Sequence, residues 1–245
     1  MRSARSLRDR VGRYRPMPLT HIVRDPIPES PAVIRRRNRI VALTTAAGAT
    51  ILGFSLSSAP GSRRFYLSTA SVAATWVVGG AASGPLHLGW IENRDATIRR
   101  PILTPLATGV AAFGIFYGGA LIARRIPVLN RAVTDVLRYA NQGEPRWVLA
   151  TTLANGLGEE IFFRGALYTS FAGHNPALAS TATYALATTT TRNPALVLAA
   201  AVMGTLFGLQ RRASGGVQAP TLTHLTWSVL MVRYLPPMFG GGVEG

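Results

Sequence analysis

Two adjacent carboxylates, Glu159 and Glu160, lie in the stretch GLGEEIFFRG (residues 156–165), followed by three large apolar residues and then Arg164. The flanks, WVLATTLAN before and ALYTSFAG after, carry no charge. Of the ten acidic residues in the chain, these two alone fall inside an apolar span. A charged side chain at mid-membrane costs about 2.5–3.5 kcal/mol on insertion scales, and two neighbouring carboxylates also repel. One of them must therefore hold a proton or find a cation. On a helix Glu160 and Arg164 are i and i+4, with the acid on the favourable N-terminal side. Glu159 is rotated about 100° away. The pair thus divides into a structural carboxylate, Glu160, neutralised by Arg164, and a chemical one, Glu159. The bland reading of the same residues is a buried ion network that ties helices together. A second acid weakens it, because one arginine neutralises only one of the two.

Glu159 needs a partner. Among the four histidines, His21 is in an N-terminal arm, His174 is in the loop GHNP, and His87 sits beside Trp90 near the end of an apolar span. His224 lies within the last apolar span, in PTLTHLTWS. His224 and Ser228 are i and i+4 and share a face. A histidine facing the inside of a bundle can act as acid, base or metal ligand, and it can equally be a hydrogen-bonded tie between helices. Phe207 belongs to GTLFG, whose Gly204 and Gly208 are spaced for close helix approach, so packing is the better reading there.

The elements that must position these groups are apolar spans. They run over 40–59, 65–91, 102–123, 147–172, 177–190, 195–209 and 217 to about 235. A crossing helix needs roughly 20 residues, which the first four spans supply; the fifth and sixth are short and must tilt, extend or cross only in part. The expected fold is all-α, a polytopic transmembrane helix bundle of about seven spans, six to eight. The expected domains are a basic arm over 1–39 and a transmembrane helical domain over 40–238. Between the third and fourth spans, PVLNRAVTDVLRYANQG reads as an amphipathic helix lying at an interface.

Composition agrees with a membrane protein. The 245 residues are 48% hydrophobic and 15% charged, against about 25% charged in soluble domains. The chain has no cysteine, which excludes disulfides, thiolate catalysis and cysteine metal sites. The net charge of +16 comes from arginine alone, and eleven of the 26 lie in the first 39 residues among five prolines. That stretch reads as a disordered basic arm. Because it abuts the first apolar span, its charge is expected to meet anionic lipid headgroups on the cytoplasmic side; this placement argues against nucleic acid as the partner. Pro60 after SSA disfavours cleavage of the first span as a signal, so the N-terminus is expected to stay on a retained helix in the cytoplasm of a multi-pass cell-membrane protein.

EEIFFR resembles the EExxxR motif of the CAAX-protease and bacteriocin-processing (Abi) family of intramembrane endopeptidases. HLTWS is similar to the family's third motif, His-x-x-x-Asn/Asp. The second motif, Phe-x-x-x-His, corresponds to FGLQR, with Phe207 in the phenylalanine place and Arg211 in the histidine place. The resemblance covers about residues 147–235, the expected peptidase-like core. It implies Glu159 as the base that activates water, Glu160 and Arg164 as organisers, and His224 as the group that polarises the scissile carbonyl or holds a metal. Ser228 takes the place of the Asn/Asp. Arg211 cannot bind a metal or act as a base near neutral pH, but it can donate to an oxyanion. A divalent metal such as zinc would have only Glu159 and His224, short of the usual three protein ligands, unless His87 joined from elsewhere.

The function expected from these residues is an endopeptidase of the CAAX prenyl protease type. It would hydrolyse a peptide bond in a peptide or membrane-protein substrate with a glutamate-activated water. The alternative is a degenerate member, a membrane scaffold or immunity-type protein that keeps the Glu/Arg/His cluster for structure. A proton-coupled carrier using the glutamate pair would call for broken spans in two related halves, and the sequence has no such repeat.

Overall fold

Ser30 caps the first helix of the computed structural model, accepting from the amide of Val33, and Pro31 supplies a preset first-turn backbone. The structure describes residues 16–23, 30–172 and 174–239. Helix α1 (Pro31–Ser55) is followed by α2 (Arg63–Ser83), which Ser62 caps at the amide of Phe65. The two run antiparallel and close together. A Cβ on Gly48 would enter the Trp76 ring, and one on Gly79 would enter Thr44, so glycine is needed at both.

A loop carries strands β1 (Ile91–Glu92) and β2 (Ile98–Arg99), paired antiparallel with Ile91 opposite Arg99. Then come α3 (Leu103–Ala123) and α4 (Pro127–Gln142). Helix α5 (Pro145–Glu159) passes without a break into a π-helical segment (Glu160–Leu167) and a final α-turn (Tyr168–Ser170). Helices α6 (Pro176–Thr188), α7 (Pro194–Ser214) and α8 (Gln218–Tyr234) follow, with a short α9 (Pro236–Phe239) at the end. Proline opens α1, α4, α5, α6 and α7, where its missing amide costs nothing. Gly215, at φ 68°, ends α7 in the left-handed conformation that glycine adopts freely.

The fold is nearly all-α, with the β1–β2 hairpin beside the helices. Three described helices, α2, α3 and α7, are long and apolar enough to cross a membrane. Helix α6 has 13 residues and α8 has 17, and α1 contains a run of arginines, so none of these meets the length and composition of a crossing helix by itself. The short sixth span extends into its flanking residues, one of the expected outcomes, since α7 runs past Leu209 through Gln210, Arg211 and Arg212 to Ser214. Helix begins at Pro31, inside the stretch assigned to the arm, so Arg35, Arg36, Arg37 and Arg39 are helical. Part of the remaining arm is docked. The amide of Met17 donates to Glu92 at 2.8 Å, that of Val23 donates to Arg212 at 3.0 Å, and His21 meets Glu92 at 3.1 Å. Residues 1–15 and 24–29, with their arginines, lie outside the described residues. The expected amphipathic helix is present as α4, tied by the Tyr139 hydroxyl to the carbonyls of Leu56 and Ser58 just after α1.

The largest core cluster is built on the motif itself. Phe162 stacks on Trp76 of α2 at 4.9 Å between centroids, Phe163 packs on Trp76 and Tyr184, and Val41, Val72, Ala166 and Leu167 close around them. The apolar residues of EEIFFR thus anchor to α2 and leave the charged ones to face α6, α7 and α8. Helix α8 is fixed in turn by Thr223. Its hydroxyl donates to the carbonyl of Pro105 at 3.0 Å and accepts from the Gln210 amide at 2.8 Å.

Candidate active site

Glu159 ends α5 and Glu160 opens the π-helical segment, so the two carboxylates straddle a change of helical pitch. The wide turns of a π-helix are frequent at functional sites. Here two carbonyls of the segment are taken up from the side: Ser180 of α6 donates to Phe163 at 2.6 Å, and Arg211 of α7 donates Nε to Arg164 at 2.9 Å.

Glu160 and Arg164 are both fully buried. Arg164 Nη1 lies 3.3 Å from Glu160 Oε1, and its Nη2 donates to the carbonyl of Gly204 at 3.2 Å. A Cβ on Gly204 would come within 3.2 Å of that nitrogen, so the small residue leaves the arginine its room. The guanidinium also lies over the Tyr184 ring at 4.8 Å and the Phe207 ring at 5.1 Å, where aromatic faces favour a cation.

His224 bridges the two acids. Its Nδ1 is 2.8 Å from Glu160 Oε1 and its Nε2 is 4.0 Å from Glu159 Oε2. An ionised carboxylate only accepts, so the hydrogen-bond network assigns a proton to Nδ1 and turns Nε2 toward Glu159. A carboxylate on one imidazole nitrogen fixes the ring for work at the other. Phe207 stacks on that ring at 4.7 Å and 22°, and Gly156 of α5 lies against it, where a Cβ would be in ordinary contact 3.5 Å from Nε2. Glu159 is the more accessible acid, its side chain 14% exposed against 0% for Glu160. The hydroxyl of Tyr184 donates to Glu159 Oε2 at 2.6 Å.

The structure therefore brings Glu159, Glu160, Arg164 and His224 into one cluster. Ser228 is buried one turn along α8 from His224. Arg211 is buried, held on the Arg164 carbonyl with its guanidinium over the Tyr168 ring at 4.7 Å. His87 is exposed in the loop after α2, and its carbonyl accepts from Val217 at 2.9 Å. Among the described residues no three of His, Asp and Glu form a group that could hold a metal ion. With Glu160 Oε1 and His224 Nδ1 bonded to each other, Glu159 and Nε2 are two donors where zinc normally takes three from protein, so the residues here do not fit that ion.

Tyr184, Ser180, Gly156 and Gly204 were not anticipated as parts of the site. Ser180 and Tyr184 are i and i+4 on α6, which would have shown a shared face but not its target.

Comparison with curated proteins and with solved structures gives no match. Residues 141–230 match the family model of the type II CAAX prenyl endopeptidase, Rce1-like. All of the clustered side chains, with Arg211 and Ser228, fall within those residues. Over that segment the chain is thus similar to the Rce1-like type II CAAX prenyl endopeptidases, the resemblance to which EEIFFR points.

Proposed function

We propose that this protein is a membrane-embedded endopeptidase that hydrolyses a peptide bond with a water activated by Glu159. The observation that carries the reading is the 4.0 Å separation between Glu159 Oε2 and His224 Nε2. It is too long for a direct hydrogen bond and suits one bridging water. The two carboxylates face the Arg164 guanidinium and the His224 imidazole. Glu159 takes a proton from the water as its oxygen attacks the scissile carbonyl. The Nε2–H of His224 donates to the developing oxyanion, and Glu159 returns the proton to the leaving amine. Glu160 and Arg164 hold the imidazole rather than touch the substrate.

The family match supports a substrate of the CAAX type, a membrane-anchored peptide whose prenylated cysteine is still followed by its C-terminal residues. The bundle is read as seven helices traversing the cell membrane from a cytoplasmic N-terminus, with the arm's arginines on anionic headgroups. The alternative, a scaffold that retains the cluster for packing, draws its support from Arg211 in the place of the second-motif histidine.

The test is cleavage in proteoliposomes of a prenylated C-terminal peptide in water enriched in ¹⁸O. The expected result is one labelled oxygen in the new carboxylate with the wild-type protein and no product with Glu159→Gln. Equal cleavage by the two proteins would overturn the assignment of the base, and a wild-type protein that cleaves nothing would favour the scaffold.

A further inference from the structure

Tyr184 lies in the alanine- and threonine-rich helix α6, outside every motif that pointed to the site, yet its hydroxyl makes the short hydrogen bond to Glu159. The position from which the second motif would bring a histidine is held by Arg211, which is engaged with the Arg164 carbonyl. From this geometry we infer that Tyr184 is the positioning residue of the site, holding the Glu159 carboxylate in place. The inference rests on the endopeptidase reading of Glu159.

Three features support it. The bond is made to Oε2, the same oxygen that faces His224, so it fixes the angle at which Glu159 presents itself to Nε2. A hydroxyl donating to a carboxylate at 2.6 Å is a charge-assisted bond, about twice as strong as a neutral one. The ring is placed by contacts that do not involve its oxygen: Phe163 at 4.7 Å, the Arg164 guanidinium at 4.8 Å, and Gly204, where a Cβ would lie 3.3 Å from the ring. One turn earlier, Ser180 pins α6 to the π-helical segment at Phe163, so the hydroxyl is delivered from a helix already held in register with Glu159. Phenylalanine at 184 would keep all of this packing and delete only the donor.

The experiment uses the full chain in lipid nanodiscs with ¹³C-labelled glutamate and isotope-edited infrared spectroscopy. The carboxyl band lost in Glu159→Gln identifies Glu159. In Tyr184→Phe that band shifts, whereas in Thr183→Ala, which removes a hydroxyl bonded to the Ala179 carbonyl within the same helix, it stays in place. In the cleavage assay Tyr184→Phe lowers kcat by about 10–100-fold, the cost typical of losing a group that orients a working side chain, with KM unchanged. An unmoved band, or an unchanged kcat, overturns the inference. If the wild-type protein cleaves no peptide, the endopeptidase reading fails, and the infrared band still decides whether Tyr184 positions Glu159.

Discussion

Two seams of this bundle differ both in how tightly they close and in what closes them. Along α1 and α2, Gly48 admits the Trp76 ring and Gly79 admits Thr44, so carbon meets carbon at these two positions, and the buried Arg37 donates to the Ser83 carbonyl at 3.2 Å. At the junction of α5, α6, α7 and α8 the contacts are looser, with a Cβ on Gly204 3.2 Å from Arg164 and one on Gly156 3.5 Å from His224, and what meets there is Glu160 with Arg164 and His224. The first seam shows what the fold needs in order to pack. The second carries more polarity than packing requires, in an environment that makes polarity costly. That excess is the argument for chemistry.

The largest effect should come from breaking the charged seam. Arg164→Met leaves the Glu160 carboxylate buried without its cation, and the expected loss is about 3–5 kcal/mol, read as a collapse of Tm in detergent. Overpacking the carbon seam comes next. Gly48→Ala drives a methyl into a Trp76 ring that is 1% exposed, and about 1–3 kcal/mol should be lost, with cleavage per folded molecule unchanged. Ser180→Ala removes one buried donor from the Phe163 carbonyl, which still accepts from the amide of Tyr168; the expected loss is about 1 kcal/mol by thermal unfolding. At the exposed pair of Asp135 and Arg138 on α4, Asp135→Asn should change stability by less than about 0.5 kcal/mol. A reversal of the first and last results would mean that the cluster is no more demanding than a surface ion pair.

Much of this site is legible in the chain because intramembrane charge is rare. The Glu160–Arg164 pairing follows from i, i+4 spacing, and the contact survives the widening of the helix to π geometry from Glu160 onward. The widening itself leaves no compositional mark, because it shifts the hydrogen-bond partner by one residue without asking for a different side chain. Tyr184 escapes because a tyrosine in an apolar helix is ordinarily a packing residue, and its hydroxyl declares a role only when the partner 25 positions earlier is in view. Arg211 matches a motif position, while its partner is a backbone carbonyl, which every residue carries. The start of α1 was signalled by Ser30 and Pro31, a cap followed by a first-turn proline, but the arginines that follow drew Arg35–Arg39 into the arm. The docking of residues 16–23 on the hairpin rests on backbone hydrogen bonds, to which proline-rich composition gives no clue.

The central claim is that two neighbouring acids of the same type do different work, and a paired comparison tests it most directly. Cleavage rate and Tm are measured side by side for Glu159→Gln and Glu160→Gln in the same membrane. The account predicts that Glu159→Gln abolishes cleavage and leaves Tm near the wild-type value, while Glu160→Gln lowers Tm by several degrees through the loss of its bonds to Arg164 and His224. A Glu159→Gln protein that cleaves normally, or one that unfolds while Glu160→Gln stays stable, would contradict it.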